Sequence, residues 1–193
     1  MLKKPVLVKG SAITSRERWV REHHGQRGEA RVREALSAES RELLEVGVLR
    51  SAWVSFSLFV ELNETIDRTF GRGDLALCRE MGAYGARVNL PSLYRIFYRV
   101  GSIAFILKRA ARMWDVHYSS GRLSVTSGKG WARLMVEEFA EPHPTLWESV
   151  AGWGEASARL TGIADAFARL EHSPEADDSA PARIIIRWDP GGH

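Results

Sequence analysis

The sequence is short of the features that mark secreted or membrane proteins. Cys78 is the only cysteine, which excludes an intramolecular disulfide and suits a reducing compartment. The apolar run from Val6 to Val8 is too short for a signal-peptide core, and no later run approaches the length of a membrane span. We therefore expect a cytoplasmic protein without a membrane span.

The residue patterns that identify most catalytic and metal sites are also missing. Ser119 and Ser120 are not in a Gly-x-Ser-x-Gly setting, and the histidines have no partners at metal-binding spacing. Glu137 and Glu138 are neighbours on a predicted strand, so their carboxylates would point to opposite faces. We therefore expect that the protein is not an enzyme and has no metal site.

What the sequence does contain is a change of hydrophobic period near Tyr118. Over residues 59–70 apolar side chains recur at the spacing of a helix that buries one face, whereas over residues 123–136 they alternate as in a strand. Later alternation around 164–170 and 183–188 predicts two more strands. The fold class predicted is α+β, with a helical N-terminal half packed on a four-stranded antiparallel sheet that one helix crosses.

The chain length of 193 residues predicts a single domain over residues 1–193. Residues 1–116 are predicted to be mainly helical, and residues 117–193 to form the sheet plus one helix. We expect residues 172–181, which are acidic and rich in proline, serine and alanine, to be a mobile loop. The helix from Ser102 to Trp114 is expected to be the central one.

Local residues predict where several helices begin and end. Thr14 and Glu17 have the spacing of a capping box, Ser37 and Thr145 can each cap a helix, and a helix should stop at Gly25. Glycines at 82 and 85 fall inside another predicted helix and cost about 1 kcal/mol each relative to alanine. They indicate the close approach of a second helix, which is the commoner cause, or of a ligand.

Four segments of the chain carry a resemblance, namely residues 9–13, 51–53, 66–77 and 98–102. Together they resemble an uncharacterised paralogous family from myxobacteria that carries a domain of unknown function. This resemblance covers nearly the whole chain but implies little chemistry.

A more distant resemblance concerns the residues around Tyr118. The order of elements, with Tyr118, Ser120 and Arg122 at the step from helix to strand, resembles the superfamily of heme-nitric oxide/oxygen-binding sensors, 4-vinyl-reductase-type ligand-binding domains and Golgi transport-tethering subunits. In the heme sensors a Tyr-x-Ser-x-Arg motif holds the heme propionates. On one strand these three side chains would face the same way, and arginine can bind a carboxylate through two hydrogen bonds.

The sequence departs from the heme sensors in one respect that matters. Those sensors have an iron-binding histidine on the preceding helix, whereas residues 81–116 contain no histidine. His117 should point away from Tyr118 if the strand has begun, which leaves Tyr94 as an imaginable phenolate ligand. The loop where the 4-vinyl-reductase-type domains have cysteines has none here. We therefore expect no cofactor, with heme possible but not predicted.

Two functions follow as hypotheses. The first is a non-enzymatic sensory or regulatory module that binds a small hydrophobic or carboxylate-bearing molecule in an apolar pocket between helices and sheet. The alternative is a protein-interaction or dimerisation module without a ligand. The basic, aromatic window of residues 81–114 lacks acidic residues, but no nucleic-acid-binding motif accompanies it, so nucleic acid is not expected. The candidate ligand-binding residues are Tyr118, Ser120, Arg122, Tyr94 and Trp114.

Overall fold

The computed structural model describes residues 4–89, 112–176 and 178–191. None of the helices in these ranges combines the length and the apolar composition that crossing a membrane requires. In chain order the elements are β1 (Leu7–Lys9), α1 (Gly10–Ala35), α2 (Ala38–Val46), β2 (Trp53–Ser55), α3 (Phe56–Phe70), α4 (Ala76–Asn89), α5 (residues 112–117), β3 (Arg122–Gly128), β4 (Trp131–Glu137), α6 (Pro144–Leu160), β5 (Phe167–His172) and β6 (Ala182–Arg187).

Strands β3 to β6 form the predicted antiparallel sheet, in the order β3-β4-β6-β5. Every second residue of β4 is buried, with Ala132, Leu134 and Val136 facing the core. This is the alternation expected of a sheet with one covered face. Helix α6 packs on that face, against β5 and β6, and β1 pairs with β2 in a separate two-stranded sheet. The predicted α+β architecture is confirmed.

Helices α4 and α6 cross at very short range. A Cβ atom added to Gly82 would overlap the carbonyl of Ser149, and one added to Gly152 would overlap the carbonyl of Arg79. The two backbones can approach this closely only because neither glycine has a side chain. Close helix packing, one of the two causes expected for the glycine at 82, is therefore confirmed.

Two predicted helix boundaries agree with the structure. The Ser37 hydroxyl oxygen accepts a hydrogen bond from the backbone N–H of Ser40 at 3.3 Å and so caps α2. Gly25 has φ 64° and ψ −170°, which interrupts the helical conformation inside α1. A residue with a side chain would be strained at this φ, so the glycine allows the break.

Two other capping predictions are wrong. Helix α1 begins at Gly10, directly after β1, so Thr14 and Glu17 lie inside the helix and do not form a capping box. At the start of α6 the cap is His143, whose Nδ1 accepts a hydrogen bond from the Thr145 backbone N–H at 3.3 Å. In both cases the pattern of residue types was suitable, but the helix starts earlier.

Asp67 holds together the connection between α3 and α4. It is fully buried, and its carboxylate accepts backbone hydrogen bonds from Leu75 at 2.9 Å and Leu77 at 3.0 Å. Leu75 has a positive φ of 65°, which is unusual for a residue with a side chain. The two hydrogen bonds therefore help to keep an otherwise strained turn in place.

Replacing Asp67 with alanine is expected to lower the free energy of unfolding by about 3 kcal/mol, because two backbone N–H groups lose a charged acceptor. Asp67→Asn keeps one acceptor oxygen and should cost less. Urea denaturation followed by tryptophan fluorescence measures both. A loss below about 1 kcal/mol for the alanine variant would contradict this role of Asp67.

Candidate functional site

A cavity lies between the helices and the sheet. Its volume is about 100 Å³. Helices α1, α4, α5 and α6 and strands β3 and β4 all contribute to its wall. The lining residues among those described are Ala12, Arg16, Gly82, Gly85, Met113, Trp114, His117, Tyr118, Leu123, Leu134, Ser149, Val150 and Trp153.

Most of the wall is apolar, with two tryptophans. Trp114 is buried and its ring packs on that of Tyr118, with the ring centroids 4.4 Å apart, while Trp153 projects from α6. The Trp114 indole N–H donates to the carbonyl of Ser120 at 2.9 Å, which fixes the ring against the start of the sheet. Such a wall suits a flat or elongated apolar molecule.

Among the described lining residues, Arg16 on α1 is the one whose side chain carries a fixed charge. It is 5% exposed, and its guanidinium donates to Asn63 Oδ1 at 3.1 Å, Ser149 Oγ at 3.1 Å, Ser15 Oγ at 3.2 Å and the carbonyl of Ala12 at 3.4 Å. All four acceptors are neutral. Burial lowers the pKa of Arg16, because the surrounding protein solvates the charge less well than water.

The titratable neighbours of Arg16 are a phenol and a thiol. Burial raises the pKa of Tyr118 to about 12, although part of the tyrosine is exposed, and it raises the pKa of Cys78 to about 12. Both groups are therefore uncharged near neutral pH. Arg16 has no carboxylate in ion-pair range among the residues described, and its guanidinium lies 4.9 Å from the centroid of the Phe59 ring, a neutral cation–π partner.

His117 lies in the last turn of α5 and lines the cavity. Its Nδ1 is 2.8 Å from the carbonyl oxygen of Met113. A carbonyl can only accept, so Nδ1 carries a hydrogen, and in the neutral ring the lone pair is then on Nε2. Histidines that bind metals commonly have this arrangement, in which the second nitrogen donates to a backbone carbonyl. His117 is therefore the described cavity residue best suited to bind an iron.

The structure divides the predicted motif into two parts. Tyr118 lines the cavity, whereas Ser120 and Arg122 are absent from the described lining. The Ser120 hydroxyl accepts a hydrogen bond from the Ala140 N–H at 2.9 Å. Arg122 is 65% exposed and lies near the carboxylates of Glu137 and Glu138, at 3.9 and 3.6 Å.

The reason for this division is the backbone between Tyr118 and Arg122. The expectation that these residues lie on one strand is wrong, because the helix continues to His117 and β3 begins only at Arg122. Gly121, with φ 76°, turns the chain between them. The same continuation corrects the expected orientation of His117, which lines the cavity together with Tyr118 instead of pointing away.

The other predicted site residues have different outcomes. Trp114 lines the cavity, as described above, and Tyr94 lies outside the described residues. Most of the basic window of residues 81–114 and of the predicted helix from Ser102 to Trp114 is outside them as well. Whether the predicted residues bind a ligand stays a prediction.

Sequence reasoning missed Arg16, Ser149 and Trp153. Arg16 is followed by charged residues at 17, 18, 21 and 22, so it resembled a surface arginine. Its burial results from contacts with Asn63 on α3 and Ser149 on α6, which are far apart in the chain. The only sequence feature that could have indicated the burial of Arg16 is the pair of small residues Ala12 and Ser15 in the preceding turn of the helix.

No protein-family model and no curated protein matches the sequence. Several solved structures resemble the fold. The Fe(II) unliganded H-NOX protein from K. algicida has a TM-score of 0.68 and 11% identity, over 96% of this chain and 98% of its own. An oxygen-binding H-NOX domain related to soluble guanylate cyclases, in its oxygen complex, has a TM-score of 0.63 and 12% identity, over 93% of this chain and 94% of its own.

A third structure, from work on heme distortion in the H-NOX family, has a TM-score of 0.61 and 12% identity, over 93% of this chain and 94% of its own. The chain therefore has the fold of the H-NOX domains, and the distant resemblance stated from the sequence is confirmed at the level of the fold. The identity is too low to carry more than the fold.

The prediction that the protein has no cofactor is wrong in the light of these structures. These similar structures include an Fe(II) protein and one that concerns heme distortion. The residue types that line the cavity suit such a group, because they include apolar side chains, a histidine held at Nδ1 by a backbone carbonyl, and a buried cation. The cavity of about 100 Å³ is smaller than a typical ligand pocket of about 300–1,000 Å³, so a heme would enter only if the lining moved apart. The described residues contain no cluster of three or more potential metal ligands, but a heme iron needs only one or two from the protein.

Proposed function

We propose that the protein is a non-enzymatic sensory module that binds heme in the cavity between its helices and its sheet. The observation that carries the proposal is that His117, held at Nδ1 by a backbone carbonyl, lines an apolar cavity in a chain with the H-NOX fold. The H-NOX relatives supply the support for heme as the ligand.

The cavity residues have distinct tasks in this proposal. His117 would hold the iron through Nε2, while the Met113 carbonyl accepts from its Nδ1 and orients the ring. Trp114 and Trp153, which line the cavity, would contact the apolar ligand and exclude water. When bound, heme supplies an iron with a coordination position that can take a small gas such as oxygen.

The cavity wall is connected to the rest of the fold through the residues after α5. Tyr118 forms a β-bridge with Val8, and the Ser119 N–H donates to the carbonyl of Leu7 at 3.0 Å. A shift of α5 on ligand binding would therefore be passed to β1. In this proposal β1 and β2 carry the signal outward, by contact with a partner protein.

The alternative function, interaction or dimerisation without a ligand, has weaker support. It assumed a cavity filled by side chains, whereas the described side chains leave a cavity open. Some apolar side chains are exposed near α2, with Val46 83% exposed, and they are compatible with protein contacts. Exposed apolar residues also occur singly on many monomeric proteins, so they do not favour this function over the first.

Titration of the purified protein with hemin tests the proposal. We expect binding at one hemin per chain, a sharp Soret band that differs from that of free hemin, and the matching mass by native mass spectrometry. The same titration of protein unfolded in guanidinium is the control. A Soret spectrum that stays that of free hemin at every protein concentration would contradict the proposal.

A further inference from the structure

We infer that Arg16 binds a carboxylate of the molecule that occupies the cavity. The inference deepens the proposed function and rests on it for the location of the ligand. It assigns the anionic end of the ligand to helix α1, where neither the sequence nor the resemblance placed it. The class of ligand it implies is an apolar molecule with at least one carboxylate.

A charge that is buried without a partner of opposite sign destabilises a folded protein. Arginine keeps its proton under all ordinary conditions, so Arg16 cannot become neutral to escape burial. Neutral hydrogen-bond acceptors such as Asn63 and Ser149 orient the guanidinium but supply no negative charge. A buried charge normally has a partner of opposite sign, because leaving water costs several kcal/mol.

The protein itself has almost no group that could supply a negative charge next to Arg16. Residues 90–111, which lie outside the described ranges, contain no aspartate or glutamate. Tyr118 and Cys78 are protonated near neutral pH, as their raised pKa values show. The negative charge is therefore expected from the ligand.

The Arg16 guanidinium also has hydrogen-bond donors to satisfy. Its Nη2 atom has two N–H groups, and among the described residues Ser149 alone accepts from it. Arg16 also belongs to the lining of the cavity. One N–H of Nη2 therefore has no acceptor among the described residues and is available to a ligand carboxylate, and charge-assisted hydrogen bonds of this kind are short and strong.

Arg122 offers a matched comparison within the same chain. It belongs to the motif that holds propionates in the heme sensors, but it is exposed and faces Glu137 and Glu138. Its charge is already balanced and screened by water. If a carboxylate enters the cavity, Arg16 is placed to bind it and Arg122 is not.

The test compares acids with their esters in the same cavity. Hemin and hemin dimethyl ester share one ring, and dodecanoic acid and its methyl ester share one chain, but the esters have no negative charge. Trp114 and Trp153 line the cavity, so tryptophan fluorescence measures binding of each probe. The unmodified protein is compared with Arg16→Met and, as the matched control, Arg122→Gln.

We expect the unmodified protein to bind hemin at least about tenfold more tightly than the dimethyl ester. Arg16→Met should abolish this preference, and Arg122→Gln should keep it. The comparison of acid and ester in the unmodified protein needs no variant, so the inference can be tested even if Arg16→Met does not fold.

The remaining outcomes separate the two proposals. If hemin fails to bind while dodecanoic acid binds more tightly than its ester, heme is the wrong ligand and the assignment of Arg16 stands. If hemin and its ester bind equally well, the heme proposal stands and the assignment of Arg16 is overturned. If none of the four probes binds, both are overturned.

Discussion

Replacing Gly152 with alanine is expected to lower the free energy of unfolding by about 3 kcal/mol or more. The new methyl group would occupy the position of the Arg79 carbonyl on α4, which is backbone and cannot rotate away as a side chain can. Helices α4 and α6 would have to separate along their crossing, and packing would be lost on both sides. Urea denaturation followed by circular dichroism measures the change.

Gly154→Ala is the control for this prediction, since it lies on the same helix. Its added methyl group would meet the side-chain ends of Ile186 and Leu134, at 3.0 and 3.1 Å, and these can move. Alanine also favours the helix over glycine by about 1 kcal/mol. We expect this variant to stay within about 1 kcal/mol of the unmodified protein. Equal stability of both variants would contradict the prediction, because it would show that α4 and α6 can separate at little cost in free energy.

The crossing of α4 and α6 also shows what the sequence could and could not predict. A glycine at position 82 inside a helix indicated a close neighbour. Glycine destabilises a helix relative to alanine, so its presence suggests that a larger side chain would not fit there. The partner, Ser149 on α6, could not be predicted, since it is 67 residues away and no local pattern connects the two. Local chemistry predicts elements better than it predicts their contacts.

The sheet was predicted well for the same reason. The alternation of apolar and polar residues around Leu134 and Val136 indicates a strand with one buried face. The glycines at 128 and 130 indicate the turn between β3 and β4. The step from helix to strand was predicted less well. The three-residue motif from Tyr118 to Arg122 suggested a continuous strand, and the left-handed conformation of Gly121 is compatible with many patterns.

The candidate site was predicted only in part because its polar residues come from distant segments. Trp114 and Tyr118 are near the change of period, where sequence reasoning looked, and both line the cavity. Arg16 lies about a hundred residues earlier, in a stretch whose charges suggested a solvated surface. The absence of a cofactor was predicted because residues 81–116 contain no histidine and because His117 was expected to point away from Tyr118.

The role of His117 gives the second large expected effect. If its Nε2 binds the iron, His117→Ala should remove that iron ligand and weaken hemin binding by about 100-fold or more, since even residues that only support a metal ligand contribute about 10–100-fold. The Soret band should shift at the same time, because its position depends on the ligand of the iron. Absorbance titration of the variant with hemin measures both quantities.

His23→Ala is the matched control, because the two histidines are held alike. The Nδ1 of His23 is 2.8 Å from the carbonyl of Trp19, four residues earlier, as His117 is from Met113. His23 packs against Trp19 and is not among the described residues of the cavity. We therefore expect its removal to leave the hemin spectrum unchanged.

Imidazole distinguishes loss of the ligand from loss of the fold. Added to His117→Ala, it can enter the space left by the missing ring and bind the iron, so the original Soret position should return. An unchanged spectrum in His117→Ala, with hemin bound as tightly as before, would show that another residue binds the iron. The cavity would then still hold heme, and the proposed function would stand with a different axial ligand.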